Sequence, residues 1–381
     1  MLNNKQIKTQ EIFQQEGLHQ TRRKIIIWED IVNQYPEKNK RLSQIYLRYL
    51  TFKKKYPAFG YKRLARLLGE PIHRTRWWYK NHNPPQPIQT TNWLKQKRLL
   101  PLYLNHQKIH LIARILGSLF GDGGIFRNLN AIFLSSSELS AVKEFGENLK
   151  TIFGEEIEEN SRIIEGGEYG HSWCYQNTNR NIIRFFQAIG APIGRKSELN
   201  MEIPQWIYLN MKIADEFFSS LFGGELGTPT IHKNNNQLTS LDIGLQTDLR
   251  LKDNKIHFLK QIQQYLSLKG IETGSISISY PKKAPSRCLL RLQISKTLDN
   301  FYNFVDLIKL TYCSYKQIRL EKTLNTFIKL KYHRYTILLF RTKNKEYTMH
   351  LLNLTPYSLE IIKKSIEQEE ITVKNKNPTG L

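Results

Sequence analysis

The chain has 381 residues, 40% hydrophobic and 11% aromatic, and its 57 Lys and Arg against 33 Asp and Glu leave a net charge of +24. That apolar content builds two or three domains with real cores and excludes a disordered tail, and the charge points to a polyanion, because basic surfaces bind phosphate backbones by releasing counterions. No apolar run approaches the roughly 18 residues of a membrane span, the start MLNNKQIKTQ lacks a signal-peptide pattern, and Cys174, Cys288 and Cys313 have no C-x-x-C spacing, which leaves buried thiols in a reducing compartment rather than a disulfide framework or a zinc site.

The first 110 residues hold 22 Lys and Arg against 6 Asp and Glu, a net +16, so the positive charge is concentrated there. Within them, residues 59–79 (FGYKRLARLLGEPIHRTRWWY) predict a helix-turn-helix. Tyr61, Leu64, Ala65 and Leu68 share one helical face, Gly69-Glu70-Pro71 breaks it, and 72–79 forms a second helix whose Arg74 and Arg76 could reach bases or phosphates. Pro84, Pro85 and Pro87 then predict an extended linker over 81–92 and a boundary near 90.

Residues 115–123 (ILGSLFGDG) and 218–225 (FSSLFGGE) predict the same short helix twice. Gly117, Gly121 and Asp122 align with Ser220, Gly224 and Glu225 at one constant offset of 103 (225 − 122, for example). Small residues at i and i+4 leave a strip of bare backbone, so two such helices can approach closely. That approach brings Asp122 and Glu225 together at two helix C-termini, where the macrodipole is already negative and the two charges repel. A divalent cation relieves both penalties, and Mg2+ takes one or two carboxylates with water and phosphate oxygens.

After the first copy the pattern predicts strands at 125–127 and 131–135, a helix at 138–153, strands at 161–165 and 172–176 and a helix at 180–189. The second half repeats this order. Leu241, Ile243 and Leu245 alternate with Ser240, Asp242, Gly244 and Gln246, and Ile276, Ile278 and Tyr280 alternate with Ser275, Ser277 and Ser279. Cys288, Leu290, Leu292 and Ile294 alternate most clearly with Arg287, Arg291 and Gln293, followed by a helix over 298–310. A period of two means one buried and one wet face, and Arg, Lys and Gln on a twisted wet ribbon can pair with base edges in a major groove. A last helix is expected over 358–368.

In its paired small-residue helices and their terminal acids, over roughly 111–330, the chain resembles the LAGLIDADG homing endonucleases of the single-chain, two-motif kind. It departs from their pattern at Ser219, Ser220 and Leu226. The resemblance implies an α+β fold of two pseudo-symmetric αββαββα halves, at 91–210 and 211–330, forming a saddle along double-stranded DNA. The basic helical module with its linker precedes them at 1–90, and a C-terminal extension follows at 331–381. Asp122 and Glu225 become the metal ligands and catalytic acids. Lys196 in GRKS, ahead of IPQWI, and Lys316 in YKQ become catalytic cations that stabilise developing charge. Arg127, Lys233, Lys282, Lys283, Arg287, Arg291 and Gln293 become DNA contacts beside Arg74 and Arg76.

The implied reaction is Mg2+-dependent hydrolysis of both strands by a monomer, leaving 5′ phosphates, 3′ hydroxyls and short 3′ overhangs, in the homing of an intron or a freestanding mobile gene. Met1 and the closing TGL, without the flanking Cys or Ser and terminal Asn of a self-splicing intein, fit the freestanding form. Two other readings stay open: a transcriptional regulator on a catalytically dead version of the fold, and a maturase that clamps intron RNA. The expected location is intracellular, cytoplasmic or organellar.

Overall fold

The computed structural model describes residues 23–166 and 171–376. A short strand β1 (Lys24–Ile26) leads into helices α1 (Trp28–Asn33), α2 (Glu37–Lys55), α3 (Tyr61–Leu68), α4 (Ile72–Asn81) and α5 (Gln86–Gln96). The helical pair expected at 59–79 is present as α3 and α4. Gly69 closes α3 at a φ of 66°, a left-handed turn that a residue without Cβ adopts freely, and Pro71 caps α4. The pair packs on α2 around a small separate core of Tyr46, Tyr49, Leu64, Leu68 and Trp78.

The extended linker expected over 81–92 is replaced by a helix, because α5 already begins at Gln86. Pro85 is its N-cap and Pro87 lies in its first turn, where backbone N–H groups have no partner to lose, so these prolines start a helix instead of forbidding one. A boundary at 90 therefore falls inside α5. β1 pairs antiparallel with β2 (Leu102–Tyr103), and Ile26, Ile31 and Tyr35 join the main core.

The main body then runs α6 (Ile109–Phe120), β3 (Gly123–Ile125), β4 (Ile132–Ser136), α7 (Leu139–Phe153), β5 (Ser161–Glu165), β6 (Trp173–Asn177) and α8 (Arg180–Ala188). It repeats as α9 (Met211–Glu225), β7 (Leu226–Gly227), β8 (Asp242–Asp248), α10 (Lys252–Leu268), β9 (Thr273–Ser279), β10 (Arg287–Ile294) and α11 (Leu298–Leu307). Both sheets are antiparallel with the same strand order, β3-β4-β6-β5 and β7-β8-β10-β9. The fold is α+β, two pseudo-symmetric αββαββα halves sharing one continuous apolar core.

The alternation in β10 is met: Cys288, Leu290, Leu292 and Ile294 are buried while Arg287, Arg291 and Gln293 are exposed. In β9 it fails, with Ile278 39% exposed and Tyr280, just past the end of the strand, 59% exposed. β9 is the outer strand of its sheet, so its apolar face has no full cover. Beyond the halves come α12 (Ser314–Thr342), α13 (Lys345–Leu351) and α14 (Pro356–Lys376). α12 passes residue 331 without a break, and Leu320 and Ile328 from it and Ile361 and Ile362 from α14 enter the main core. Cys288 and Cys313 are buried free thiols and Cys174 is a half-buried one. Among the described residues no helix is long and apolar enough to cross a membrane.

Candidate active site

α6 is buried on nearly every side, from Ile109 through Phe120, which places it at the centre of the molecule against α9. The two helices meet on bare backbone. A Cβ built on Gly121 would lie 3.3 Å from the Leu221 carbonyl oxygen and 3.5 Å from Gly224 Cα, and one on Gly224 would lie 3.1 Å from Gly121 Cα. Gly121 and Gly224 are equivalent positions of the two copies, so the pseudo-twofold axis passes between them. Gly117 lies against the Phe217 backbone with no room for any side chain, while its counterpart Ser220 is buried with its hydroxyl unpaired. Farther back, Phe120 meets Phe217 edge-on at 5.3 Å and Arg114 Nε donates to Glu216 at 2.7 Å.

Asp122 follows α6 by two residues and Glu225 ends α9, so both acids emerge at the crossing. Asp122 Cγ lies 3.2 Å from where a Gly224 Cβ would stand. Glu225 is half-buried. Asp122 reaches solvent, yet protein crowds it closely enough that lost hydration holds its carboxyl above the usual range, against the pull of Lys316 and then Lys196. Burial raises the Glu225 carboxyl too, with Lys196 opposing and the Asp122 charge adding to the rise. For each acid the stronger attraction thus comes from the lysine of the other half. No third His, Cys, Asp or Glu joins them in a metal-sized cluster among the described residues. Two carboxylates that are costly to ionise without a cation suit a hard divalent ion whose remaining ligands are water and phosphate, as Mg2+ prefers.

Lys196 Nζ donates to the Gly123 carbonyl at 2.7 Å, and burial lowers its pKa while the two carboxylates oppose the change. Lys316 Nζ donates to the carbonyls of Gly223 at 2.9 Å and Gly224 at 2.6 Å, setting a cation on the negative end of the α9 dipole. A third lysine, Lys255 of α10, is missed by sequence reasoning. It is 2% exposed, its Nζ donates to the Lys196 carbonyl at 2.7 Å, and burial brings its pKa down to about 8 against the pull of Glu225. Its signal was position: it falls on the same helical stripe as Phe258, Leu259 and Ile262, where a charge is out of place.

An open cavity of about 780 Å³ adjoins Asp122, lined among others by Phe126, Arg127, Phe133, Arg195 and Lys196. In the second half Arg287, Arg291 and Gln293 project from the outward face of β10, with Arg291 Nη1 3.6 Å from Asp242. Lys233 lies in the connection from β7 to β8, and Lys282 and Lys283 in the turn from β9 to β10, all exposed. Strand register shows which positions correspond. Gly124 faces Phe133, which faces Gln176; in the other sheet Gly227 faces Asp242, which faces Gln293. Gln176 is therefore the first-half counterpart of Gln293, and Arg162 Nη2 donates to it at 2.8 Å. Five-residue strands gave neither a clear alternation in sequence. Arg74 and Arg76 stand outside this site on α4, where Arg74 is paired with Glu70 and Arg76 is exposed beside Trp77, itself 55% exposed.

No family model matches the chain. Among curated proteins it is similar to the RNA polymerase subunit Rpo1N of Methanocaldococcus jannaschii, 31% identical over 193 residues, 48% of this chain and 14% of that protein. It is also similar to the tRNA-splicing ligase RtcB of the same organism, 30% identical over 246 residues, 60% of this chain and 25% of that protein. The chain thus spans a quarter or less of the length of these two relatives. Similar solved structures include variants of the homing endonuclease I-DmoI at 17% identity, covering 57% of this chain and all of that one, with a TM-score of 0.36. They also include the LAGLIDADG homing endonuclease I-GzeII in complex with its DNA target, at 9% identity over 67% of this chain and 96% of that one, with a TM-score of 0.32.

Proposed function

We propose that the chain is a site-specific endonuclease of the LAGLIDADG homing kind, cutting both strands of double-stranded DNA by Mg2+-dependent hydrolysis. The observation that carries this reading is the emergence of Asp122 and Glu225 from a glycine-on-glycine helix crossing at a pseudo-twofold axis, with Lys196 and Lys316 beside them. A duplex has two antiparallel strands related by local twofold symmetry, so two acids related by a twofold can serve one strand each. Mg2+ held by the two carboxylates would polarise the scissile phosphate and lower the pKa of the attacking water. Lys196 and Lys316 supply fixed positive charge where negative charge builds on the phosphate and the leaving 3′ oxygen. The +24 charge supplies sequence-independent affinity, and outward Arg and Gln side chains of the two sheets supply base contacts. Arg76, on the second helix of the N-terminal pair, extends the contact beyond the saddle.

The curated relatives support mobility. The matched stretches are minor parts of proteins named as a polymerase subunit, a splicing ligase, a replication factor and a protease, covering between 10% and 25% of each. Similarity to short stretches of proteins with such different names is the distribution a mobile segment would have.

The test is digestion of a randomised-site DNA library by the purified chain with Mg2+, followed by sequencing of the cut ends. Staggered cuts at one group of related sites are expected, and Asp122→Asn or Glu225→Gln should abolish them while binding persists. Binding without cutting by the unaltered chain would assign it to the regulators, and splicing of an intron RNA would assign it to the maturases.

A further inference from the structure

The segment around each lysine is held by the opposite half. Glu138, at the start of α7, accepts from the Ser314 hydroxyl and, at 3.4 Å, from the Tyr315 amide, and Asn148 Nδ2 donates to the Tyr312 hydroxyl at 2.8 Å. The first half thus braces the chain leading into Lys316. In return, α10 and β8 brace the chain that carries Lys196. Asn254 accepts from the Met201 amide at 2.7 Å and donates to its carbonyl at 3.2 Å, and Gln261 does the same at Ile203 at 2.9 and 3.3 Å. Thr247 Oγ1 donates to the Ser197 carbonyl at 3.1 Å, and Lys255 Nζ donates to that of Lys196 at 2.7 Å.

The two bracing helices differ in character at one position that both bury. Laid over each other from their first residues, α7 and α10 bury matching positions: Phe145 with Phe258, Gly146 with Leu259, Leu149 with Ile262, Ile152 with Tyr265 and Phe153 with Leu266. At the remaining matched position α7 has buried Val142 where α10 has buried Lys255. A valine meets the packing need there, and a buried ammonium costs stability unless it has a task.

We propose that Lys255 is a positioning residue for the Lys196 loop, with Val142 in its place on the helix that braces Lys316, and that this difference makes the two strand cuts inequivalent. This rests on the nuclease reading above.

The experiment follows a supercoiled plasmid bearing one library-selected site, with each strand end-labelled, as it passes from closed to nicked to linear. In Lys255→Met, cutting of one strand is expected to slow by about tenfold or more, the other strand to change by less than about twofold, and nicked circles to accumulate. Thr247→Val loosens the same loop more gently, should slow the same strand less, and decides the matter should Lys255→Met fail to fold. Hydrogen exchange of the amides at 196–199 in metal-free protein should rise in both variants. Equal slowing of both strands, or unchanged exchange, overturns the proposal. An unaltered chain that cuts neither strand removes the nuclease reading itself.

Discussion

Gly224→Ala probes the helix crossing at the point where it bears on the acids. The new Cβ would stand 2.7 Å from the Asp122 amide nitrogen and 3.2 Å from its Cγ, where ordinary contact begins at 3.4 Å. Its neighbours are backbone and the acid itself, so no flexible side-chain end can yield, and the helix ends must part by about 0.7 Å. Two stability effects oppose each other: Ala for Gly inside a helix gains about 0.5–1 kcal/mol, while overpacking costs roughly 1–3 kcal/mol. The net loss is on the order of 1 kcal/mol. Cleavage has no such offset, since misplacing reacting groups by about 1 Å costs on the order of a hundredfold, and a shift of about 0.7 Å should cost roughly 10- to 100-fold. Thermal melting without metal and the cleavage rate on a library-selected site measure the two effects separately. Gly274→Ala is the control, because its Cβ would meet nothing nearer than 3.8 Å. Cleavage by Gly224→Ala at the rate of the unaltered chain would refute the claim that this contact places Asp122.

Glu225→Gln should stabilise the metal-free protein while abolishing cleavage. A carboxyl held above its ordinary value in the fold penalises the folded state once pH exceeds the unfolded value of 4.5, and the penalty grows as pH rises through the folded value. Removing the charge should therefore raise stability at pH 7, with the gain vanishing near pH 4; a variant that melts like the unaltered chain at both pH values would contradict this. Replacing the exposed Lys62, Arg66 and Arg76 by Gln should lower the slope of log affinity against log salt by about 2–3 if these residues contact phosphates. An unchanged slope in a filter-binding titration would take the N-terminal helices out of the DNA interface.

The repeated αββαββα order was legible because two periodicities are unambiguous: small residues four apart on a buried helix, and strict alternation such as that from Arg287 to Ile294. Where the pattern depended on what lies next to an element, it misled. Ile276, Ile278 and Tyr280 alternate like a covered strand, but only the sheet order reveals that β9 lies at an edge. Pro85 and Pro87 suggest an extended chain unless their place in the first turn of a helix is known. α12 went unforeseen because apolar residues such as Ile337 and Phe340 are scattered among its charges and remain exposed, leaving no single stripe to trace through its length. The meeting of Asp122 and Glu225 was legible from spacing. The bracing of their lysines was not, because bonds such as Lys255 to the Lys196 carbonyl join a side chain to backbone 59 residues away, which no local pattern records.

Covalent union of the halves bears on what the two sheets would read in the proposed complex with DNA. Register makes Phe133 of one sheet the counterpart of Asp242 in the other, and Cys174 the counterpart of Arg291. Two identical subunits present one surface twice and are confined to palindromes. A fused pair is free of that restriction, and these rows have diverged from bulky aromatic to anionic and from thiol to guanidinium. Under the proposed nuclease reading, the preferred duplex sequence is therefore asymmetric and the protein sits on it in only one direction.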